Sequence, residues 1–359
     1  MEALPAKRPS NKRAALTSAN CYRTAKISLV LFAVYVVLYR YVMFHFTSET
    51  AVTSSSGSTR TSKLQGVWTA RNIGRLGNQM GAYAVLYALA KLNGRRAFVH
   101  PDMYKRLRPF FKITLPVLAM KNVTSIPWKE YNFHDWMSEE YTHITERYLI
   151  IKQTICSWTF FHKFRKEILR EFTFHDTLRE SAWRTLSYLA NRSGQPSSSL
   201  PVFVGVHVRR GDFVHEIQRP HYQGVLADEA YFRTAMSYFR AKYRHILFVV
   251  CSDGIEWCSR NIDSSMGDVF FVTRRVSPAM DLALLAQCNH TIMTIGTFGF
   301  WAGYLAGGET IYLANYTRPG APLSKRSKPF AFHLPHWIGI PANLQLLNVS
   351  PYVKNRHHR

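Results

Sequence analysis

The chain has 359 residues, of which 47% are hydrophobic, and a formal net charge of +24. That length exceeds one small core and predicts two folded domains once the terminal tails are set aside. The apolar share argues against a disordered chain. The positive charge is spread along the sequence, with no basic stripe and no known binding module, which argues against nucleic acid and for a small anionic substrate.

Residues 1–26 carry Lys7, Arg8, Lys12, Arg13, Arg23 and Lys26 against the single acid Glu2. Residues 27–46 are nearly all apolar or aromatic, with Arg40 the exception. About 20 apolar residues in a helix span a bilayer core. Arg40 lies toward the far end, where it can snorkel to the interface, and Tyr35, Tyr39 and Tyr41 suit an interfacial anchor. Because the basic residues precede the span, the positive-inside rule predicts a cytosolic tail at 1–26, a signal-anchor at 27–46 and the remainder across the membrane. A cleaved signal peptide is the alternative. The long basic tail and the absence of a small-x-small site after the apolar run argue against it.

Residues 47–66 are rich in Ser and Thr and read as a flexible stem. Asn-x-Ser/Thr triplets follow at Asn122, Asn191, Asn289, Asn315 and Asn348, as a lumenal domain would carry. Asn289 is expected at the start of a buried strand, and Pro351 makes Asn348 a poor acceptor. Cys21 precedes the span. Cys156, Cys251, Cys258 and Cys288 remain, with no Cys-x-x-Cys pair, so no zinc site is expected. In an oxidising compartment they allow one or two disulfides.

The folded part opens at Val67, and an N-terminal α/β domain is expected over 67–195. Val67–Ala70 reads as a strand. Gly74-Arg75-Leu76-Gly77-Asn78-Gln79 reads as a glycine turn before a helix from Met80 to Leu92, with a stop at Asn93-Gly94. Strand, glycine turn, helix offers backbone N–H groups to a phosphate. Ala97–His100 is a second strand. In 101–150, Asp135-Trp136-Met137-Ser138-Glu139-Glu140 sets aromatics beside carboxylates, which suits sugar binding and plain packing alike. Helical periodicity covers Thr159–Phe172 and Asp176–Arg192, with Asp176 as N-cap and Gly194 as stop. The Ser, Pro and Gly content of 193–201 marks a domain boundary.

Over 196–347 strands and helices alternate. The strands are Val202–Val208, Ile246–Cys251, Val269–Val272, Thr291–Ile295 and Thr310–Leu313. The helices are Asp228–Tyr243, Ile255–Asn261, a Ser277-capped run to Gln287, and Phe298–Leu305. This predicts a doubly wound parallel sheet. Ligands bind past the carboxyl ends of such strands, here His207 to Asp212, Ser252-Asp253-Gly254, Thr273 to Arg275, and Gly296-Thr297-Phe298-Gly299. The pair Arg209–Arg210 is suited to a diphosphate, because the planar guanidinium fork donates bidentate hydrogen bonds and stays charged. A solvated strand-end turn is the competing reading. No Asp-x-Asp is present to hold a divalent ion on a sugar diphosphate. No Walker motif, Gly-x-Ser-x-Gly elbow or Ser/His/Asp set competes.

Val204–Asp212, Val249-Val250-Cys251-Ser252 and Cys288-Asn289-His290-Thr291-Ile292-Met293-Thr294-Ile295-Gly296-Thr297-Phe298-Gly299-Phe300-Trp301 resemble the galactoside α-1,2-fucosyltransferases. The resemblance runs from about Gly74 to Leu347 and includes Asp135-Trp136-Met137 and Cys156-Ser157-Trp158-Thr159-Phe160. It implies a GT-B-like fold of two Rossmann-like domains, the C-terminal one binding GDP-fucose. It implies an inverting, metal-independent transfer to a terminal β-galactoside by a single-pass Golgi protein, with no cofactor. A homo-oligomer is compatible with it. By this resemblance His207 contacts guanine or ribose, Arg209 and Arg210 contact the diphosphate, and Asp281 reads guanine. Gly296, Thr297 and Phe298 form the phosphate loop, and Gly77, Asn78 and Gln79 reach the β-phosphate and fucose. Cys251 and Asp253 depart from the family pattern, as does 214–220, which leaves Asp253 and Glu216 without an implied role. The proton of the acceptor hydroxyl goes to Asp212, Asp135, Glu140, Glu216 or no side chain at all. A catalytically silent lectin-like chaperone is the alternative of another class. It predicts loss of Arg209 or Arg210, and both are present.

Overall fold

The computed structural model describes residues 66–343, apart from 72, 195–199, 274–276, 319 and 323–327. They belong to one compact unit, Leu64–Arg359. The expected cytosolic tail, membrane span, all of the stem but its last residue, and basic tail at 348–359 lie outside the described residues, as do Arg274, Arg275 and Asn348. Among the described residues no helix is long and apolar enough to cross a membrane.

Two all-parallel sheets organise the chain. The first contains β1 (Val67–Ala70), β2 (Arg96–Val99), β3 (Lys129–Glu130) and β4 (Tyr148–Ile151) in the order β2-β1-β4-β3. Its helices are α1 (Leu76–Leu92), α2 (Pro101–Leu107), α3 (Met120–Ser125), α4 (Trp158–Phe161), α5 (Arg165–Glu171) and α6 (Asp176–Arg192). The second contains β5 (Val202–Val208), β6 (Ile246–Ser252), β7 (Val269–Phe271), β8 (His290–Met293), β9 (Thr310–Leu313) and β10 (Ile338–Ile340), in the order β10-β9-β8-β5-β6-β7. Its helices are α7 (Phe213–Glu216), α8 (Glu229–Lys242), α9 (Ile255–Asn261), α10 (Pro278–Ala286) and α11 (Thr297–Ala306). The chain runs outward from β5 through β6 to β7, then returns to place β8 on the other side of β5. The strand order therefore reverses between β5 and β8, and in open α/β sheets the ligand crevice lies beyond the carboxyl ends of such a pair.

A parallel sheet buried on both faces needs apolar side chains on both. In β5 and β6, Phe203, Leu247, Val249 and Cys251 enter one core with Trp68, Tyr83 and Leu86 of the first sheet and its helix α1. Val204, Val206, Val208, Phe248 and Val250 enter the other core with Tyr231, Phe232 and Phe239 of α8. The period of two then sends His207 to the side of Phe203, toward α11, where its ring stacks on Phe298 at 5.1 Å.

Several expectations need correction. Helix α1 starts at Leu76, so Gly77, Asn78 and Gln79 form its first turn rather than a preceding loop. Glycine there reports close packing, not a break: a Cβ on Gly77 would lie 2.7 Å from Phe298 N and 2.7 Å from Thr297 Oγ1. The run 159–172 is interrupted by a 3-10 turn at His162–Phe164. Asp176 is the first helical residue of α6, and His175 stands at the cap. The second sheet has a sixth strand, β10, whose three residues are too short for periodicity to reveal. Asn289 directly precedes the buried strand β8, as expected, but is itself exposed, with its side-chain oxygen accepting Phe203 N at 2.9 Å. Cys156, Cys251, Cys258 and Cys288 are free thiols.

Candidate active site

The carboxyl ends of β5, β6 and β8 are tied together around Arg209. Its backbone N–H donates to Thr294 Oγ1, just past β8, at 2.9 Å. Its guanidinium donates to Asp253, just past β6, and to Asp212. The other oxygen of Asp253 accepts the backbone N–H of Arg210 at 2.6 Å. The Arg209 side chain is only 21% exposed, so its charge is directed by the carboxylates rather than dispersed in water.

Arg210 does not pair with Arg209 as a single fork. Alternation turns it to the opposite face of the sheet, where its guanidinium lies over the Trp257 ring of α9 at 3.8 Å. Burial pulls its pKa down. Of the two adjacent arginines, Arg209 is the one on the His207 side.

Beyond β8 the chain turns at Gly296, whose φ of 98° suits glycine, and enters α11. The first turn of α11 packs against the first turn of α1. Thr297 Oγ1 donates to Asn78 Oδ1 at 2.6 Å, and Trp301 Nε1 donates to Gly77 O at 3.1 Å. Gln79 turns back, donating from Nε2 to Gly74 O at 2.9 Å. Two helix N-termini thus meet beside the switch point. The first-turn amides of a helix have no acceptor within it, and its N-terminus carries partial positive charge, so this junction suits a phosphate.

His207 is buried, with Nδ1 lacking a hydrogen-bond partner. Burial pushes its pKa down to about 4, so the ring is neutral at ordinary pH. A Cβ on Gly299 would lie 2.7 Å from His207 Nδ1, so glycine in α11 makes room for the imidazole. Asp281 enters from a different element. It is buried in the first turn of α10, the helix that follows β7.

The four candidate bases differ in environment. Asp212 is paired with Arg209 and Arg75. Glu216, in α7, is 2.7 Å from Arg219. Glu140 is exposed on the 3-10 turn Glu139–Thr142. Asp135 is half-buried on the segment that follows β3, and burial raises its pKa. Its charge in turn helps to push up the thiol of Cys156, whose Sγ packs on Gly81 of α1, one helical turn beyond Gly77. The neighbouring Trp136 stacks on His134 at 4.5 Å, and Lys328 Nζ lies 4.2 Å from its ring.

Asp253 is expected at a ligand-facing strand end but without a role, and Thr294, Trp257 and Arg75 carry no role from the sequence. Asp253 and Thr294 stand at strand ends, which is a legible position. The stacking of Arg210 on Trp257 and the reach of Arg75 across the crevice have no local sequence signal.

The chain belongs to glycosyl transferase family 11, whose model matches residues 34–341. It is 54% identical over 308 residues to "Galactoside alpha-(1,2)-fucosyltransferase 2" of Sus scrofa, covering 85% of this chain and 87% of the relative. It is 55% identical over 295 residues to the Bos taurus protein of the same name, covering 82% and 83%. It is 53% identical over 296 residues to "Galactoside alpha-(1,2)-fucosyltransferase 1" of Pan troglodytes, covering 82% and 80%. Among solved structures the likeness is remote. Fucosyltransferase NodZ from Bradyrhizobium aligns at 16% identity with a TM-score of 0.45, covering 66% of this chain and 92% of that one.

Proposed function

We infer that the chain is a galactoside α-1,2-fucosyltransferase, moving L-fucose from GDP-fucose to the 2-hydroxyl of a terminal β-galactose on glycoproteins and glycolipids. The observation that carries this reading is the site around Arg209 in a chain 53–55% identical to transferases of that name. The two parallel sheets support a GT-B-like reading, with 67–195 as an acceptor-side Rossmann-like domain and 196–347 as the donor domain.

In this account the GDP diphosphate lies beyond β5 and β8, against Arg209 and the first turns of α1 and α11. Gly77, Asn78 and Gln79 stand on one side of it, and Gly296, Thr297 and Phe298 on the other. His207 and Asp281 take the nucleoside. Arg210, held on Trp257, contributes positive potential from the far face and fixes the strand-end turn. The bond from fucose C1 to the diphosphate oxygen breaks, and its electron pair leaves with GDP. The galactose 2-hydroxyl attacks C1 from the opposite face, which inverts the centre. Negative charge grows on the leaving diphosphate as the bond stretches, and Arg209 with the helix N-termini stabilises it. These groups supply the positive charge that a divalent ion would otherwise bring, so the reaction is metal-independent. Asp135 takes the hydroxyl proton. Burial makes its carboxylate more basic, whereas Glu216 is engaged by Arg219 and Glu140 is exposed.

The basic tail and apolar span support a type II single-pass Golgi protein with a lumenal catalytic domain. Incubation of the protein with GDP-fucose and a panel of β-galactosides tests the function. Fucosylated product is expected, and its absence with every β-galactoside would refute it.

A further inference from the structure

Asp212 makes a pairing that the reaction scheme above does not use. One carboxylate oxygen receives Arg209, and the other receives Arg75, 137 residues away in sequence. Arg75 caps the start of α1, so its guanidinium stands at the helix end whose first turn meets Thr297 and Phe298. Two arginines, one from each sheet's loops, thus converge on a single anionic group at the mouth of the crevice.

The two carboxylates that hold Arg209 are not equivalent. Asp253 is 20% exposed and also accepts the backbone N–H of Arg210, so it is built into the strand-end turn. Asp212 is 49% exposed, and its partner Arg75 is 71% exposed. An incoming anion can reach the second pair and exchange with it. A diphosphate offers more charge and more acceptor oxygens than one carboxylate, and guanidinium groups bind phosphate bidentately.

We propose that Arg75 is a further donor-binding residue, and that Asp212 is an internal counter-ion which holds Arg75 and Arg209 in the empty site until the diphosphate displaces it. This rests on the donor-site reading above. It gives Asp212 the opposite sign from a residue that assists binding: the carboxylate competes with the ligand. Arg75 brings the first-sheet side of the crevice onto the diphosphate, and Asp212 keeps the two cations from repelling each other beforehand.

The test is calorimetric titration of GDP, and separately of guanosine, into the detergent-solubilised full chain. The wild type is compared with Arg75→Ala, Arg75→Lys and Asp212→Asn, with thermal melts to confirm folding. Asp212→Asn is expected to bind GDP about threefold or more tighter, because a competing charge is gone. Arg75→Ala is expected to bind GDP about tenfold or more weaker, with Arg75→Lys between it and the wild type. Guanosine, which lacks phosphate, should bind all four proteins alike. Equal or weaker GDP binding by Asp212→Asn overturns the proposal. So does GDP binding by Arg75→Ala within about twofold of wild type, or a parallel loss of guanosine binding. A wild type that binds guanosine and GDP equally overturns the donor-site reading itself, and this proposal with it.

Discussion

Asp253 ties down Arg209 and the residue after it: one carboxylate oxygen accepts the Arg209 guanidinium, and the other accepts the backbone N–H of Arg210 at 2.6 Å. The carboxylate at the end of β6 therefore sets both the direction of the Arg209 side chain and the path of the chain beyond β5. A guanidinium so fixed loses little freedom when charge develops in front of it, which is the condition for electrostatic preorganisation. Asp253→Ala is expected to lower kcat/KM for GDP-fucose by about tenfold or more, with kcat falling as well as donor affinity. Asp253→Asn should recover part of the loss, because an amide oxygen still accepts the Arg210 N–H. Steady-state kinetics with a fixed acceptor measure both. Unchanged kcat in Asp253→Ala would mean that Arg209 needs no such support.

The two adjacent arginines should not behave alike. Lysine in place of Arg209 keeps a charge but loses the planar fork. Arg209→Lys is expected to cost on the order of a hundredfold in kcat/KM, the scale of one lost transition-state contact. Arg210 lies 3.8 Å over the Trp257 ring. Arg210→Lys should instead lower stability, by about 1 kcal/mol, with a smaller effect on catalysis. Equal kinetic losses in the two variants would place both guanidinium groups on the diphosphate and contradict this division.

The acid side of the pH profile should belong to Asp135. Burial raises its pKa above the ordinary 3.8. A base must be ionised to act, so activity is present above the raised pKa and lost as pH falls through it. His207, which burial pushes down to about 4, also titrates on the acid side, so it is the variant and not the wild-type profile that assigns the limb. Asp135→Asn is expected to lower kcat by about a hundredfold and to flatten the acid limb, while GDP affinity stays near wild type. The profile of kcat against pH decides it. A limb that persists in the variant would assign the titration to another group.

The second sheet was legible almost strand by strand, because a buried parallel strand is an apolar run closed by a turn. Val202–Val208 and Thr310–Leu313 have the same bounds in sequence and structure. So does the helix Ile255–Asn261. In 101–150 the elements are short, and tertiary contacts rather than local pattern fix them. Tyr141 illustrates this: it is buried, and its hydroxyl accepts the backbone N–H of His134 at 2.8 Å. At the site, chain order made the strand ends visible as one edge, and His207, Arg209, Thr297 and Asn78 do come together there. Side-chain direction was less visible. The sequence places Arg209 and Arg210 side by side, and only the alternation of β5 sends them to opposite faces. The Arg75–Asp212 pair joins residues from different sheets, and no spacing rule announces it.

The transfer and the hydroxyl it reaches define the reaction. Its most direct measurement is incubation of the protein with GDP-fucose and a β-galactoside in the presence of EDTA, followed by linkage analysis of the isolated product. Fucose is expected in α linkage to the galactose 2-hydroxyl, formed at an undiminished rate without divalent metal. Fucose on another hydroxyl, or a strict need for a divalent ion, would contradict it.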